Sequence, residues 1–250
     1  MKYFFSATLL LMLTAFALPP QKKVKVFLAG DSTISIKEKR VYPETGWGMP
    51  FVYFFDSSVQ VENRAKNGRS TRTFIEEGLW QKLISDVSAG DYVFIQFGHN
   101  DESEEKKDRY TTPEQYKRNL KHFIDATKER GATPVLLTPV SRRKFKDGKA
   151  LETHVAYSAL VKEVAGATGV MLIDLDTKSR ELYQQIGEEP SKMLFLQLQK
   201  DEHPNYPDGK VDNTHFTELG ARLIAQIVLA EIKAKGLPLA DHVVKPVVKK

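Results

Sequence analysis

Val24-Lys25-Val26-Phe27-Leu28-Ala29-Gly30-Asp31-Ser32-Thr33 is the stretch on which the fold turns. Val24 to Ala29 is short, β-rich and nearly all apolar, and it stops at a Gly-Asp pair that favours a sharp exit. A strand so apolar is buried on both faces, which is the pattern of a parallel sheet. Working outward, similar runs recur at Val59 to Glu62, Tyr92 to Phe97, Val135 to Thr138 and Val170 to Asp174. Between them lie segments with helical period: Thr73 to Val87, Pro113 to Arg130 with Tyr116, Leu120, Phe123 and Ile124 on one face, and Leu151 to Ala167 with Val155, Leu160 and Val164. A last helix is expected after Thr217 as N-cap, with Glu218 in its first turn, a stripe of Leu219, Leu223, Ile227 and Val228, and Gly236 then Pro238 to end it. This β-α alternation predicts an α/β fold. With no internal repeat, linker or break in composition, one domain is expected over 22–240, followed by a loose basic tail over 241–250.

The 250 residues are 41% hydrophobic and 28% charged, which excludes collagen-like and wholly disordered chains. The net charge of +5 comes without a long Lys/Arg block, so it does not mark a nucleic-acid binder. Met1-Lys2, the apolar run Tyr3 to Leu13 and Ala15-Phe16-Ala17 ahead of Pro19-Pro20 together predict a cleaved export leader over residues 1–17. The apolar run is shorter than the roughly 20 residues that span a bilayer. A secreted or periplasmic chain with no membrane contact after cleavage is therefore expected. The absence of cysteine excludes disulfides, thiolate metal sites and thiol catalysis.

In an open α/β sheet, ligand sites form beyond the carboxyl ends of the strands, so the loops after each run are where chemistry belongs. The first such loop leaves Ser32 at the sheet edge, where a serine can act as a nucleophile. Asn67-Gly68-Arg69-Ser70 and Gly98-His99-Asn100-Asp101 follow the second and third runs. A backbone N–H at Gly68 and the Asn100 side-chain amide suit an oxyanion. Taken singly, each of these loops also reads as an ordinary turn. Asp212-Asn213-Thr214-His215 supplies a base and an orienting acid, since an Asp three residues ahead of a His can fold back in a turn to take its Nδ1 proton. His99 is a candidate for lining the pocket, while His122, His154 and His242 read as solvated or structural.

Gly-Asp-Ser after the first run, Gly68 after the second, Gly-His-Asn-Asp after the third and Asp-Asn-Thr-His near the C-terminus resemble the ordered blocks of the SGNH, or GDSL-like, hydrolases. Within them the chain is similar to the rhamnogalacturonan acetylesterase group. Tyr42-Pro43-Glu44-Thr45-Gly46-Trp47-Gly48, Glu62-Asn63-Arg64-Ala65 and Asp212-Asn213-Thr214-His215-Phe216 carry that narrower likeness. The resemblance implies a flavodoxin-like three-layer α/β/α sandwich around a five-stranded parallel sheet. It implies Ser32 as nucleophile, His215 as general base and acid, Asp212 as its partner, and an oxyanion hole of Ser32 N–H, Gly68 N–H and the Asn100 side chain. It implies no metal and no cofactor, and an acetyl ester on the galacturonic acid of the rhamnogalacturonan backbone of pectin as substrate.

Arg142-Arg143-Lys144 after the fourth run, together with Arg69 and Arg72, would place positive charge around such a polyuronate. Trp47 would stack on a sugar ring. The expected partner is an acetylated polysaccharide or oligosaccharide, met by a monomeric chain. The alternatives are an esterase for another acetylated glycan such as xylan, a metal-dependent deacetylase built from Asp31, His99, Asp101, Asp212 and His215, and a glycan-binding protein without catalysis.

Overall fold

The computed structural model of the protein describes residues 23–245. The leader expected over 1–17 and the end of the basic tail, 246–250, lie outside the described residues. In chain order the elements are β1 (Val24–Gly30), α1 (Gly48–Phe51), β2 (Val59–Asn63), α2 (Thr71–Glu76), α3 (Leu79–Ser85), β3 (Tyr92–Gln96), α4 (Pro113–Glu129), β4 (Thr133–Leu137), a small hairpin β5 (Phe145–Lys146) and β6 (Lys149–Ala150), α5 (Val155–Thr168), β7 (Met171–Ile173), α6 (Leu175–Ile186), a second hairpin β8 (Phe195–Leu198) and β9 (Lys210–Phe216), and α7 (Glu218–Ala234).

Five strands form one sheet in the order β2-β1-β3-β4-β7, with every pairing parallel. The expected five-stranded parallel sheet is present, each strand within one or two residues of its apolar run. Alternate side chains serve opposite faces. Val26, Leu28, Phe94, Val135 and Ile173 pack under Phe51, Tyr183 and the α7 residues Ala221, Ile224 and Val228. Phe27, Ala29, Val93, Ile95 and Leu136 pack under Phe74, Tyr116, Leu120, Phe123 and Val161. Helices thus cover both faces, which is why the strands read as continuous apolar runs rather than alternating ones. The strand order reverses between β1 and β3, and this switch point opens the crevice in which the site lies.

Several expectations shift. The helix expected over Thr73 to Val87 is two helices, broken between Glu76 and Leu79. Thr217 does cap α7, its side chain accepting from Gly220 N. The buried stripe, however, is Ala221, Ile224, Ala225, Val228 and Ile232, and Leu219 is 45% exposed. Alanines let a helix approach a sheet closely, and a search for large apolar residues passes over them. In α5 the buried face holds Tyr157, Val161 and Val164, while Val155 is exposed. As far as Val244 the chain after α7 is not loose. Leu239 is buried, Val243 bridges Phe55, and Val244 N donates to Phe54 O. No helix among the described residues is long and apolar enough to cross a membrane.

The rotated face of α7 sets an expectation for stability. Ile224→Ala should cost about 2–5 kcal/mol in denaturant unfolding, whereas Leu219→Ala should stay within about 0.5 kcal/mol of the parent. A larger cost at Leu219 than at Ile224 would place the helix face where the sequence stripe had it.

Candidate active site

β1 delivers its carboxyl end to Gly30, and the turn that follows is held from below. Asp31, fully buried, accepts from Thr33 N at 2.9 Å and Thr33 Oγ1 at 2.8 Å. Gln96 Nε2 donates to Thr33 Oγ1 at 2.7 Å, and Trp47 Nε1 donates to Gln96 Oε1 at 2.9 Å. Four buried side chains therefore fix the residues on either side of Ser32. Burial opposes ionisation of Asp31, but the His99 ring and the Thr33 N–H and hydroxyl outweigh it and lower its pKa to about 2. Trp47 is wholly buried and does not offer a face to a sugar. A buried indole N–H needs a partner, and here the partner is a strand residue in the core.

Asp212 and His215 arrive on β9, not in a simple turn. Phe195 pairs with Phe216 and Gln197 with Val211, so the single residue Leu196 faces the four residues Asp212 to His215. This bulge closes a ring of bonds on Asp212. Its Oδ1 accepts from Thr214 N at 2.7 Å and His215 N at 3.0 Å, and its Oδ2 accepts from His215 Nδ1 at 2.8 Å. Burial again opposes ionisation, yet the His215 ring and these N–H groups hold the carboxyl well below the usual range. With its Nδ1–H donating to Asp212, His215 presents Nε2 as an acceptor, 2.9 Å from Ser32 Oγ. Arg143 holds the bulge in place: its N–H donates to Asn213 O at 2.8 Å, and its guanidinium donates to Asn213 Oδ1, Ser191 Oγ and Glu188 O. It is therefore a scaffold residue and not part of a cationic surface.

A cavity of about 400 Å³ opens beside Ser32 and His215, lined also by Asn67, Gly68, His99, Asn100 and Arg142. Gly98 adopts φ 146°, a region open essentially to glycine, and a Cβ there would lie 2.3 Å from Pro139 Cγ. The chain can thus double back and bring His99 and Asn100 to the cavity. Asn100 Nδ2 donates one N–H to Arg69 O at 3.0 Å, which leaves its second for a ligand. The Ser32 and Gly68 N–H groups have no protein acceptor among the described residues. Arg69 and Arg72 do not line the cavity. Arg69 is paired with Glu77 and donates to Asn67 O, and Arg72 is paired with Glu76 while holding the carbonyls of Lys107 and Tyr110. The cations that do line it, beside Arg142, are Lys106 and Arg109 from the β3–α4 loop, which the motif search passed over. Their position after a strand end was the available signal. Lys37 was also missed; buried beneath the cavity, it bonds Glu44 at 2.7 Å and Asn67 Oδ1 at 2.9 Å.

Other ionisable groups are buried behind the cavity. His99 Nδ1 lies 3.3 Å from Asp31 Oδ2, and burial with the nearby His154 lowers its pKa to about 4, so the ring is neutral at pH 7. His154, buried at the N-terminus of α5, donates from Nδ1 to Glu102 Oε1 at 2.8 Å. Among the described residues no three His, Asp or Glu side chains converge so as to hold a metal ion. Asp101 is fully buried, its Oδ1 accepting from Thr71 N and Oγ1 while Oδ2 has no partner. Burial raises its pKa to about 7.

That shift has a pH signature. Folded Asp101 keeps its proton up to about pH 7 while the unfolded chain releases it near its ordinary value of 3.8, so its contribution to stability is lost as pH rises across that window. Asp101→Asn, which keeps the acceptor for Thr71, should gain on the parent between those limits by on the order of 4 kcal/mol and run parallel to it outside them. A constant difference in unfolding free energy from pH 4 to 8 would contradict the buried protonated carboxyl.

The sequence profile of the GDSL-like lipase/acylhydrolase family matches residues 29–223. The chain is 44% identical over 225 residues, 90% of its length and 96% of the relative's, to a rhamnogalacturonan acetylesterase, RhgT, of Bacillus subtilis. The structure of protein YxiM from the same organism superposes with a TM-score of 0.74 at 25% identity, covering 87% of this chain and 58% of that longer one. An acetylxylan esterase from Geobacillus stearothermophilus shares the fold with a TM-score of 0.60 at 19% identity, over 84% of this chain and 94% of that one. The chain belongs to the GDSL-like lipase/acylhydrolase family and is a carboxylic ester hydrolase of α/β fold.

Proposed function

We propose that the protein is a serine carbohydrate esterase that removes acetyl groups from acetylated rhamnogalacturonan. The observation that carries the reading is the hydrogen-bonded line Asp212–His215–Ser32, with contacts of 2.8 and 2.9 Å, opening onto a cavity rather than into the core. The name of the relative that is 44% identical supports the substrate class. In this reading the chain works after export.

The chemistry follows from the groups present. Ser32 Oγ attacks the acetyl carbonyl carbon while His215 Nε2 takes its proton, and the imidazolium so formed is stabilised by ionised Asp212. The carbonyl oxygen becomes an oxyanion within reach of Ser32 N–H, Gly68 N–H and the free amide hydrogen of Asn100. Collapse expels the sugar oxygen, which takes the proton from His215 and leaves acetyl on Ser32. A water then gives its proton to His215 and attacks the acyl carbon, releasing acetate and restoring the hydroxyl. Asp212 stays unprotonated throughout, since its carboxyl lies well below the usual range.

Acetate release is the test. The wild type should release more acetate from acetylated rhamnogalacturonan than from acetylated xylan, Ser32→Ala should release none, and Asn100→Ala should fold yet lose about 10²- to 10³-fold in kcat. Preference for xylan would overturn the substrate, and equal release by Ser32→Ala would overturn the serine mechanism.

A further inference from the structure

The Gly68 N–H is a donor that packing does little to hold. Lys66 to Arg69 form a four-residue turn closed by Arg69 N donating to Lys66 O at 3.3 Å, and Gly68, its third residue, has φ 74°. Asn67 before it does not share that sign, which is the combination of a type II turn. Among the described residues, and apart from its chain neighbours, a Cβ on Gly68 would meet Arg109 Nη1 alone within 4 Å, at 3.4 Å. The Gly68 N–H belongs to the peptide between the two central residues of the turn. Type I and type II turns differ chiefly in the orientation of that peptide, so it is the part of the turn free to rotate. Rotation would swing the hydrogen away from the cavity.

What opposes rotation sits at the other end of the same peptide. Arg69 Nη1 donates to Asn67 O at 2.8 Å. A trans peptide is planar, with its N–H and C=O pointing opposite ways, so a held oxygen aims the hydrogen. The guanidinium is itself braced, since Nε and Nη2 both donate to Glu77 Oε2, at 3.0 and 2.8 Å. Arg69 lies just before α2 and Glu77 just after it, so the helix fixes the separation of the pair. The main chain of Arg69 serves another donor: its O accepts from Asn100 Nδ2 at 3.0 Å. Lys37 Nζ holds Asn67 Oδ1 at 2.9 Å, which anchors the residue at a point outside the rotating peptide.

We propose that Arg69, braced by Glu77, is a positioning residue that fixes the Asn67–Gly68 peptide so that the Gly68 N–H faces the developing oxyanion. This rests on the esterase reading above and goes beyond it: Arg69 sets one oxyanion donor through its side chain and steadies another through its main chain. Among the described residues Arg69 makes no hydrogen bond to Ser32 or His215, and it does not line the cavity. Loss of its guanidinium therefore removes stabilisation of the transition state and leaves ground-state binding in place.

The test uses para-nitrophenyl acetate, a small neutral ester with no carboxylate for a cation to meet. Arg69→Met should lower kcat about 10- to 100-fold with KM within about twofold, a smaller loss than outright removal of a donor. Glu77→Gln should lower kcat less, and the double variant should lose no more than Arg69→Met, because Glu77 acts through Arg69. NMR relaxation with isotope-labelled glycine reads the peptide itself: the Gly68 amide should be rigid in the parent and mobile in Arg69→Met. Unchanged kcat in Arg69→Met, a loss confined to KM, or a Gly68 amide equally rigid in both proteins overturns the proposal. The same data separate the two readings. A Gly68 amide that loosens in Arg69→Met while Ser32→Ala hydrolyses the ester as fast as the parent sinks the serine esterase and leaves the tether, whereas hydrolysis that requires Ser32 but not Arg69 sinks the tether alone.

Discussion

The Ser32 half of the site leans on one buried carboxylate. Asp31 sits at the carboxyl end of β1 with no exposed surface, accepts from Thr33 N–H and its hydroxyl, and faces His99 Nδ1 at 3.3 Å. An isolated buried charge is costly, so the donors around it cannot wander without exposing that cost. Thr33 is further held by Gln96 from β3 and, through it, by Trp47. The backbone of Ser32 is thus held chiefly through its two neighbours, while its hydroxyl meets His215. The same strand end fixes the next loop, for Lys66 N donates to Gly30 O and carries Asn67 and Gly68 past the serine.

The second half of the site is built independently and meets the first across 183 residues of sequence. A hairpin outside the main sheet bulges by several residues, and the bulge is where Asp212 and His215 reside. Bulges re-aim side chains, and this one is held from outside by the nearly buried guanidinium of Arg143. A flat antiparallel strand would send alternate side chains to opposite faces and separate the acid from the base. The two halves have little freedom relative to each other, because α7, which follows β9 directly, packs on the same face of the sheet as Val26 and Leu28 of β1.

Much of this was legible in the residues. Strands covered on both faces announce themselves as apolar runs, and loops after those runs were the right place to search for Ser32, Gly68 and Asn100. Asp212 and His215 were found by spacing, although the spacing alone suggested a turn where the chain forms a bulged strand. Long-range partners were not legible. Trp47 reads equally well as a sugar platform or a core residue until Gln96 is seen beside it. The pairing of Arg69 with Glu77 depends on a loop conformation, whereas that of Arg72 with Glu76, four residues apart on a helix, was readable. Lys106 and Arg109 went unnoticed because they lie in a loop without a motif. Arg143 looked like surface charge because nothing in the sequence ties it to Asn213, Ser191 and Glu188, which its guanidinium holds.

The central claim is that Ser32 carries the acyl group. Brief reaction of the wild type with an activated acetyl ester, acid quenching and peptide mapping by mass spectrometry tests it most directly. Acetyl on the peptide containing Ser32, absent when His215 is replaced by alanine, is the expected result. Turnover of the ester with acetyl on another residue, or with label that persists in the His215→Ala protein, would contradict it.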